Sequence, residues 1–300
     1  MNAKLNTRIF VTLGLVVLLV GAMAVAGCTD NAKKTGEVPP LQKQSIKVSG
    51  STTVLPIAQK AAEAYMATHP NADIQISGGG SGVGIQQIGE KTVDIGMSSR
   101  DLKTTEKTKY PNLVSHVVAK DGIAIVVNPT NEIKVIQAGT VADIYTGKIT
   151  TWTQVPGANV PDTKNQIVIV GRDSASGTRE FFDTHAKGIL KGAAPTKYML
   201  EKNSNGAVAQ TIAQTPGAIG YVSIGFVTND MKALPVGYND PSAAVAPTKE
   251  NVLSGTYPLN RELFMFTNGQ PTGLAKDYID FILSPDGQKI VDSEGYVSII

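Results

Sequence analysis

Apolar residues recur along the chain with two alternating periods. Ile46 and Val48 alternate with polar neighbours and predict a short strand that runs into SGSTT, residues 49–53. Ile57, Ala61, Ala64, Tyr65 and Thr68 then fall at helical spacing, and His69-Pro70-Asn71 ends that helix. Ile74 and Ile76 predict a second strand, followed by SGGGSGVG at residues 77–84. A second amphipathic helix starts near Val83 and carries Ile85 and Ile88. Residues 93–97 predict a third strand, ending in Ser98-Ser99-Arg100-Asp101. Strand, loop and helix repeated in this way predict an α/β domain with a mainly parallel sheet.

Residues 114–127 are β-rich, with Lys120-Asp121-Gly122 expected to break the run, and Asn128-Pro129-Thr130-Asn131 interrupts regular structure. A helix is expected over 141–145, capped by Thr140. An apolar strand over 167–170 leads into GRDSASGT, and a helix follows from about Arg179. AIGYVSIGFV, residues 218–227, is a further β run. The tail predicts a strand over 263–267 and helices over 273–283 and 286–292. The two long β runs bracket a middle unit. They predict two crossings between lobes: residues 45–127 with 228–300 in the first lobe, and 128–227 in the second.

The amino terminus follows neither period. Lys4 and Arg8 precede an apolar run over residues 9–26, broken only by Thr12 and glycines, and Val25-Ala26-Gly27-Cys28 closes it. This pattern predicts an export signal over residues 1–27. Its end resembles the lipobox of exported lipoproteins, which makes Cys28 the candidate lipidated residue. An uncleaved membrane span is the alternative. Both readings put the rest of the chain outside the cytoplasm. Residues 28–44 hold two prolines and no apolar period, as expected of a tether.

Charge changes the picture once the signal is set aside. The 300 residues carry 27 Lys and Arg against 25 Asp and Glu. Lys4 and Arg8 account for the excess, so the chain from Cys28 onward is formally neutral. No basic footprint for nucleic acid or an anionic membrane surface is present. One cysteine excludes an intrachain disulfide framework, and three scattered histidines argue against a zinc site. No cofactor is implied.

Candidate chemistry lies in three loops of one design. SGSTT, SGGGSGVG and DSASGT (residues 173–178) each follow a predicted strand and lead into a predicted helix. Helix starts leave backbone N–H groups unpaired and carry partial positive charge. Ser and Thr add hydroxyl donors, and Gly lets a ligand approach the backbone. Together these features suit a small oxyanion. A single loop of this kind is ordinary helix capping; three in one α/β chain, at the carboxyl ends of strands, point to a site. Arg172, just before the third loop, offers a fork for two anion oxygens, with a surface ion pair as the alternative. Arg100 is a weaker candidate. GRDSASGT has no lysine after its second glycine and is not a P-loop, GGGSGVG is not a nucleophile elbow, and HExxH is absent. An enzyme is therefore not expected.

Taken in order, VSGSTTVLPIAQ, GGGSGVGI, VDIGMSSRDL, TGKITTW, GRDSASGTREFF, GAIGYVS, YPLNREL and SPDGQKIV make the mature chain resemble the phosphate-binding lipoproteins of Pst-type ABC transporters. The resemblance implies a type II periplasmic-binding-protein fold, α/β and two-lobed, with two crossover strands at the hinge. Inorganic phosphate would be enclosed between the lobes and delivered to ABC permease subunits by a monomer anchored to the membrane at Cys28. The family's site loops map onto Ser51, Thr52 and Thr53; Ser81 and Gly82; Ser99; and Arg172, Ser176, Gly177 and Thr178. Some members carry an aspartate where Ser99 stands, a carboxylate that accepts a hydrogen bond from a protonated phosphate oxygen and repels sulfate. Ser99 has no charge, so Asp101 and Asp173 become candidate acceptors, and sulfate, molybdate or tungstate become alternative ligands. A secreted Ser/Thr hydrolase and a sensor or adhesin that lost transport are the other readings.

Overall fold

The computed structural model describes residues 42–300 except 159–164 and 239. The expected export signal, Cys28 and the tether as far as residue 41 lie outside the described residues.

The first third of the chain builds strands and helices from the pattern above. Strand β1 (Gln44–Gly50) leads to helix α1 (Leu55–Thr68), which opens with Pro56 in its first turn and buries Ile57, Ala58, Ala61, Ala62 and Tyr65. Strand β2 (Ala72–Gly78), helix α2 (Ser81–Gly89) and strand β3 (Ile95–Ser98) follow, then a short helix α3 (Thr104–Lys109) that periodicity did not announce. Strand β4 (Leu113–Val127) is continuous through Lys120-Asp121-Gly122, against expectation. Its break is prevented by partners on both parts of the strand, not by local propensity.

The middle of the chain holds strand β5 (Ile136–Gln137), helix α4 (Ala138–Tyr145), strand β6 (Val168–Arg172), helix α5 (Gly177–Thr184), strand β7 (Leu200–Lys202), helix α6 (Asn205–Gln214) and strand β8 (Ala218–Ser223). Helix α4 starts earlier than expected: its cap position is Gln137, not Thr140. The β run over 218–227 ends at Ser223 and continues as a 3₁₀ turn. Strands β9 (Lys232–Leu234) and β10 (Val236–Gly237), helix α7 (Lys249–Leu253), strand β11 (Asn260–Asn268), helix α8 (Gly273–Leu283) and helix α9 (Pro285–Ser293) complete the chain.

The strands run β2-β1-β3-β11-β4-β8-β6-β7 in one hydrogen-bonded path. β1 is parallel to β2 and β3, while β11 is antiparallel to β3 and β4. β4 changes partner half-way. Residues up to Gly122 pair with β11, and Ile123 onward pairs with β8. The change of partner falls at Gly122–Ile123, inside the strand. β9 pairs with β4 at Ile125–Val127 and β10 pairs with β5. Strands of two and three residues leave too little pattern to be read from sequence.

The core follows the sheet. On one face of the first lobe, Ile57, Ala61, Tyr278, Ile282 and Val291 from helices pack on Val48, Ile95 and Met97. On the other, Ile85 and Ile88 of α2 meet Phe264 and Phe266. In the second lobe the rings of Phe182 and Tyr221 stack at 4.1 Å, and Tyr145 lies 4.8 Å from Phe182. Each such fully buried side chain contributes about 1.5–3 kcal/mol. This cluster also positions the third loop. The Tyr145 hydroxyl donates to the Val170 carbonyl at 2.8 Å, and the Arg172 amide donates to the Tyr221 hydroxyl at 3.2 Å.

Candidate functional site

The three loops chosen from sequence meet at one buried place between the lobes. Ser51, Thr53, Ser81, Ser99, Arg172, Ser176 and Thr178 are all at most 2% exposed, and Thr52 is 6% exposed. For eight polar side chains at strand ends, loops and helix starts, that burial requires partners or a ligand.

The first loop is held by close backbone approach. Gly50 has φ +137°, and a Cβ there would lie 2.3 Å from the Met97 carbonyl oxygen and 2.9 Å from Cα of Gly84, so only glycine lets β1 end this close to β3 and α2. The Ser51 amide donates to the Met97 carbonyl at 2.9 Å, and the Tyr296 hydroxyl pins the Thr53 carbonyl at 2.7 Å. No side chain caps α1 or α2, so the hydroxyls of these two loops are not consumed by capping. Ser176 differs: its Oγ accepts from the Arg179 amide at 3.2 Å and caps α5.

The lobes touch through the loops themselves. Thr53 Oγ1 and Thr178 Oγ1 are 3.2 Å apart. Ser81 Oγ lies 3.2 Å from Ser99 Oγ and accepts from the Ser99 amide at 3.0 Å. Gly177 faces this serine pair so closely that a Cβ would stand 2.3 Å from Ser81 Oγ and 2.8 Å from Ser99 Oγ. The amide of Gly82 donates to the Ala175 carbonyl at 3.0 Å. Its one donor thus serves contact between the second and third loops.

Arg172 is not a surface ion pair. Its Nε and Nη2 donate to the carbonyls of Lys202 and Asn203, each at 3.2 Å, and so hold the guanidinium against the start of α6. Burial pulls its pKa down to about 10, which leaves it cationic at neutral pH. Arg100 takes another course. It forks onto Glu106 with two 2.7 Å contacts and reaches Glu180 on α5 at 2.7 Å, where Lys103 also arrives at 2.9 Å. Burial works against the Glu106 carboxylate, but hydrogen bonds from Arg100 and the Lys103 amide hold its pKa below the usual range. Arg100 is therefore part of an ion-pair rim that joins the lobes.

Of the two acids considered as acceptors, Asp101 is exposed and bonded to the Leu102 amide and Lys107. Asp173 keeps a buried Oδ1 without a partner. The three histidines are dispersed: His69 stacks on Tyr65, His185 stacks on Phe181, and His116 meets Thr267.

Periodicity missed three residues at this place. Asn205, fully buried at the start of α6, donates to Thr53 Oγ1 at 2.9 Å and Thr52 Oγ1 at 3.4 Å. Arg261 and Asp121 form a buried pair, with Nε and Nη2 of Arg261 at 2.9 and 2.8 Å from Asp121 Oδ2. Burial raises the Asp121 pKa, opposed by Arg261 and by the Ser223 hydroxyl, which donates to Oδ1 at 2.6 Å. The signal available in sequence was a lone acid inside the β run over 114–127. Recesses lie elsewhere: one of about 940 Å³ beside Ile133, Val135 and Val155 in the second lobe, and one of about 550 Å³ at the cleft edge beside Lys103, Glu180 and His185. Neither is lined by the three loops.

Residues 35–286 match the model of the PBP superfamily domain. The phosphate-binding protein PstS of Bacillus subtilis is 36% identical over 95% of this chain and 93% of its own. The chain belongs to the PstS family. Among solved PstS-like structures, a Clostridium perfringens phosphate ABC transporter substrate-binding protein with bound phosphate aligns with TM-score 0.77 and 33% identity, covering 86% of this chain and 100% of its own. An ABC-type phosphate transport receptor from Vibrio cholerae aligns with TM-score 0.66 and 31% identity over 84% and 99% of the two chains. These PstS-like proteins are substrate-binding components of transporters, not enzymes.

Proposed function

We propose that the chain is an extracytoplasmic receptor that encloses inorganic phosphate between its lobes and hands it to an ABC permease. One observation carries this reading: three Ser/Thr/Gly loops, from both lobes and far apart in sequence, converge with Arg172 on one buried place. The contacting set we assign is Ser51, Thr52, Thr53, Ser81, Ser99, Arg172, Ser176, Gly177 and Thr178. Gly82 is left out because its amide is engaged by Ala175. The first lobe is assigned to β1–β3, β11 and the first part of β4, and the second to the remaining strands.

Hydroxyls and amides replace the anion's hydration shell without needing a net positive protein. They suffice because a closed, dry site strengthens each hydrogen bond. Arg172 supplies the local charge. No bond is made or broken in the protein's work.

Melting the protein against a panel of phosphate, arsenate, sulfate, molybdate and tungstate at fixed pH tests the ligand. A ligand at a hundred times its Kd stabilises by about 2.7 kcal/mol. Phosphate is expected to shift the melt most. A shift from sulfate or molybdate alone would overturn the assignment. The panel is informative because Ser99 carries no charge to turn away a fully ionised anion.

For localisation we propose export by the segment 1–27 and anchoring through acylated Cys28, the tether 28–44 holding a monomeric receptor at the outer face of the membrane. The run of small residues into the lone cysteine supports this. Mass spectrometry of the membrane-extracted protein is expected to find an acylated Cys28 as first residue. An intact terminus at Met1 would reject both cleavage and anchoring there.

A further inference from the structure

We propose that Arg261, fixed by Asp121, is a positioning residue for the bound anion: with Asn205 it donates to the Thr53 and Thr178 hydroxyls, so that at least one hydroxyl proton of this pair is turned toward the anion. The inference rests on the phosphate-receptor reading above.

The geometry sets the direction of the protons. Thr53 Oγ1 accepts from Asn205 Nδ2 at 2.9 Å and from Arg261 Nη2 at 3.3 Å. One Nη2 proton goes to Asp121 at 2.8 Å, and the other is shared by Thr178 Oγ1 at 3.0 Å and Thr53 Oγ1. The two hydroxyls stand 3.2 Å apart, so at most one of their two protons is spent between them. At least one hydroxyl proton of the pair therefore points into the site.

Arg and Asn are the residue types such a lock requires, since both donate and neither loses its proton at neutral pH. The lock is itself held. Asp121 takes two bonds from Arg261 on one oxygen and one from Ser223 on the other, while Asn205 Oδ1 accepts from the Ser223 amide at 3.3 Å. Arg261 Nη1 remains buried without a partner, a charged donor at the same corner. Because Asp121 balances Arg261, the pair supplies orientation and leaves charge neutralisation to Arg172.

The test is a double-mutant cycle read by phosphate titration to millimolar concentrations. Arg261→Met alone strands Asp121 and risks unfolding, so it is made together with Asp121→Asn, which removes both charges. This pair of changes is expected to weaken phosphate binding at least tenfold while the apo protein still melts cooperatively. Made in a Thr178→Val background it should cost no more than about twofold, because the shorter of its two hydroxyl contacts is gone. Asn205→Ala is expected to weaken binding about fivefold. Wild-type affinity in the Asp121→Asn, Arg261→Met protein, or an equal loss with and without the Thr178 hydroxyl, would overturn the inference. Failure of the unmodified protein to bind phosphate would instead reject the receptor reading on which it rests.

Discussion

Arg172→Ala is expected to weaken phosphate binding by the ~2–5 kcal/mol that truncating one partner of a buried charged contact costs. The fold should survive the change. The Arg172 amide keeps its bond to Tyr221, and the Phe182–Tyr221 stack beneath it is untouched. What is lost locally is two bonds to the carbonyls of Lys202 and Asn203, about 1 kcal/mol each. In a domain of this size that lowers the melting temperature by only a few degrees. Calorimetry reads the affinity and a melt reads the fold. Near-wild-type affinity in a folded variant would remove Arg172 from the site. The same cation gives a pH dependence. With its pKa lowered to about 10, Arg172 stays charged through neutral pH and loses its proton as pH rises through that value. Its contribution to anion binding is thus expected to be constant near pH 7 and to fall above about 10.

Gly177→Ala is expected to abolish phosphate binding at physiological concentrations while leaving a folded protein. Gly177 is the first residue of α5, where alanine is a better helix former than glycine by about 1 kcal/mol. The three atoms nearest to an added methyl group all belong to Ser81 and Ser99. The clash is with the opposing lobe, at 2.3 Å from Ser81 Oγ and 2.9 Å from Ser81 Cβ. A β-carbon on Ser81 cannot be moved aside as a flexible side-chain tip can, so the third loop must back away. Ser81, Ser99 and Thr178 then no longer share one place. The expected result is an unchanged or slightly raised apo melting temperature with at least a hundredfold loss of affinity. Normal affinity would mean that ligand capture does not require the Ser81–Gly177 contact.

Most of the site was legible because its parts are local. Strand, Ser/Thr/Gly loop and helix start are adjacent in sequence, and the same backbone geometry recurs at residues 49–53, 77–84 and 173–178. Family resemblance then linked the loops to one ligand. What sequence could not supply was pairing across distance. Asp121 and Arg261 are separated by 140 residues and become direct neighbours through the register of β4 against β11. Asn205 was missed because α6 follows a polar stretch, residues 201–206, whose only apolar anchors, Val208 and Ile212, come after the site residue. Arg100 was only a weaker candidate from sequence. Its charge is satisfied by Glu106 and Glu180, and only tertiary placement reveals those partners. Gly82 shows the same dependence on tertiary placement: its amide is engaged by the Ala175 carbonyl of a neighbouring loop.

Strand β4 has a consequence for how the molecule melts. One uninterrupted backbone hydrogen-bonds to β11 on one side of Gly122 and to β8 beyond it, so neither lobe owns a complete sheet. Unfolding one lobe strips half of that strand of its ladder and frays the other lobe's edge. Loss of one lobe is therefore expected to be coupled to loss of the other, and a calorimetric scan is expected to show one unfolding transition rather than two. An anion that ties loop to loop in the cleft thus stabilises residues far from any contact with it.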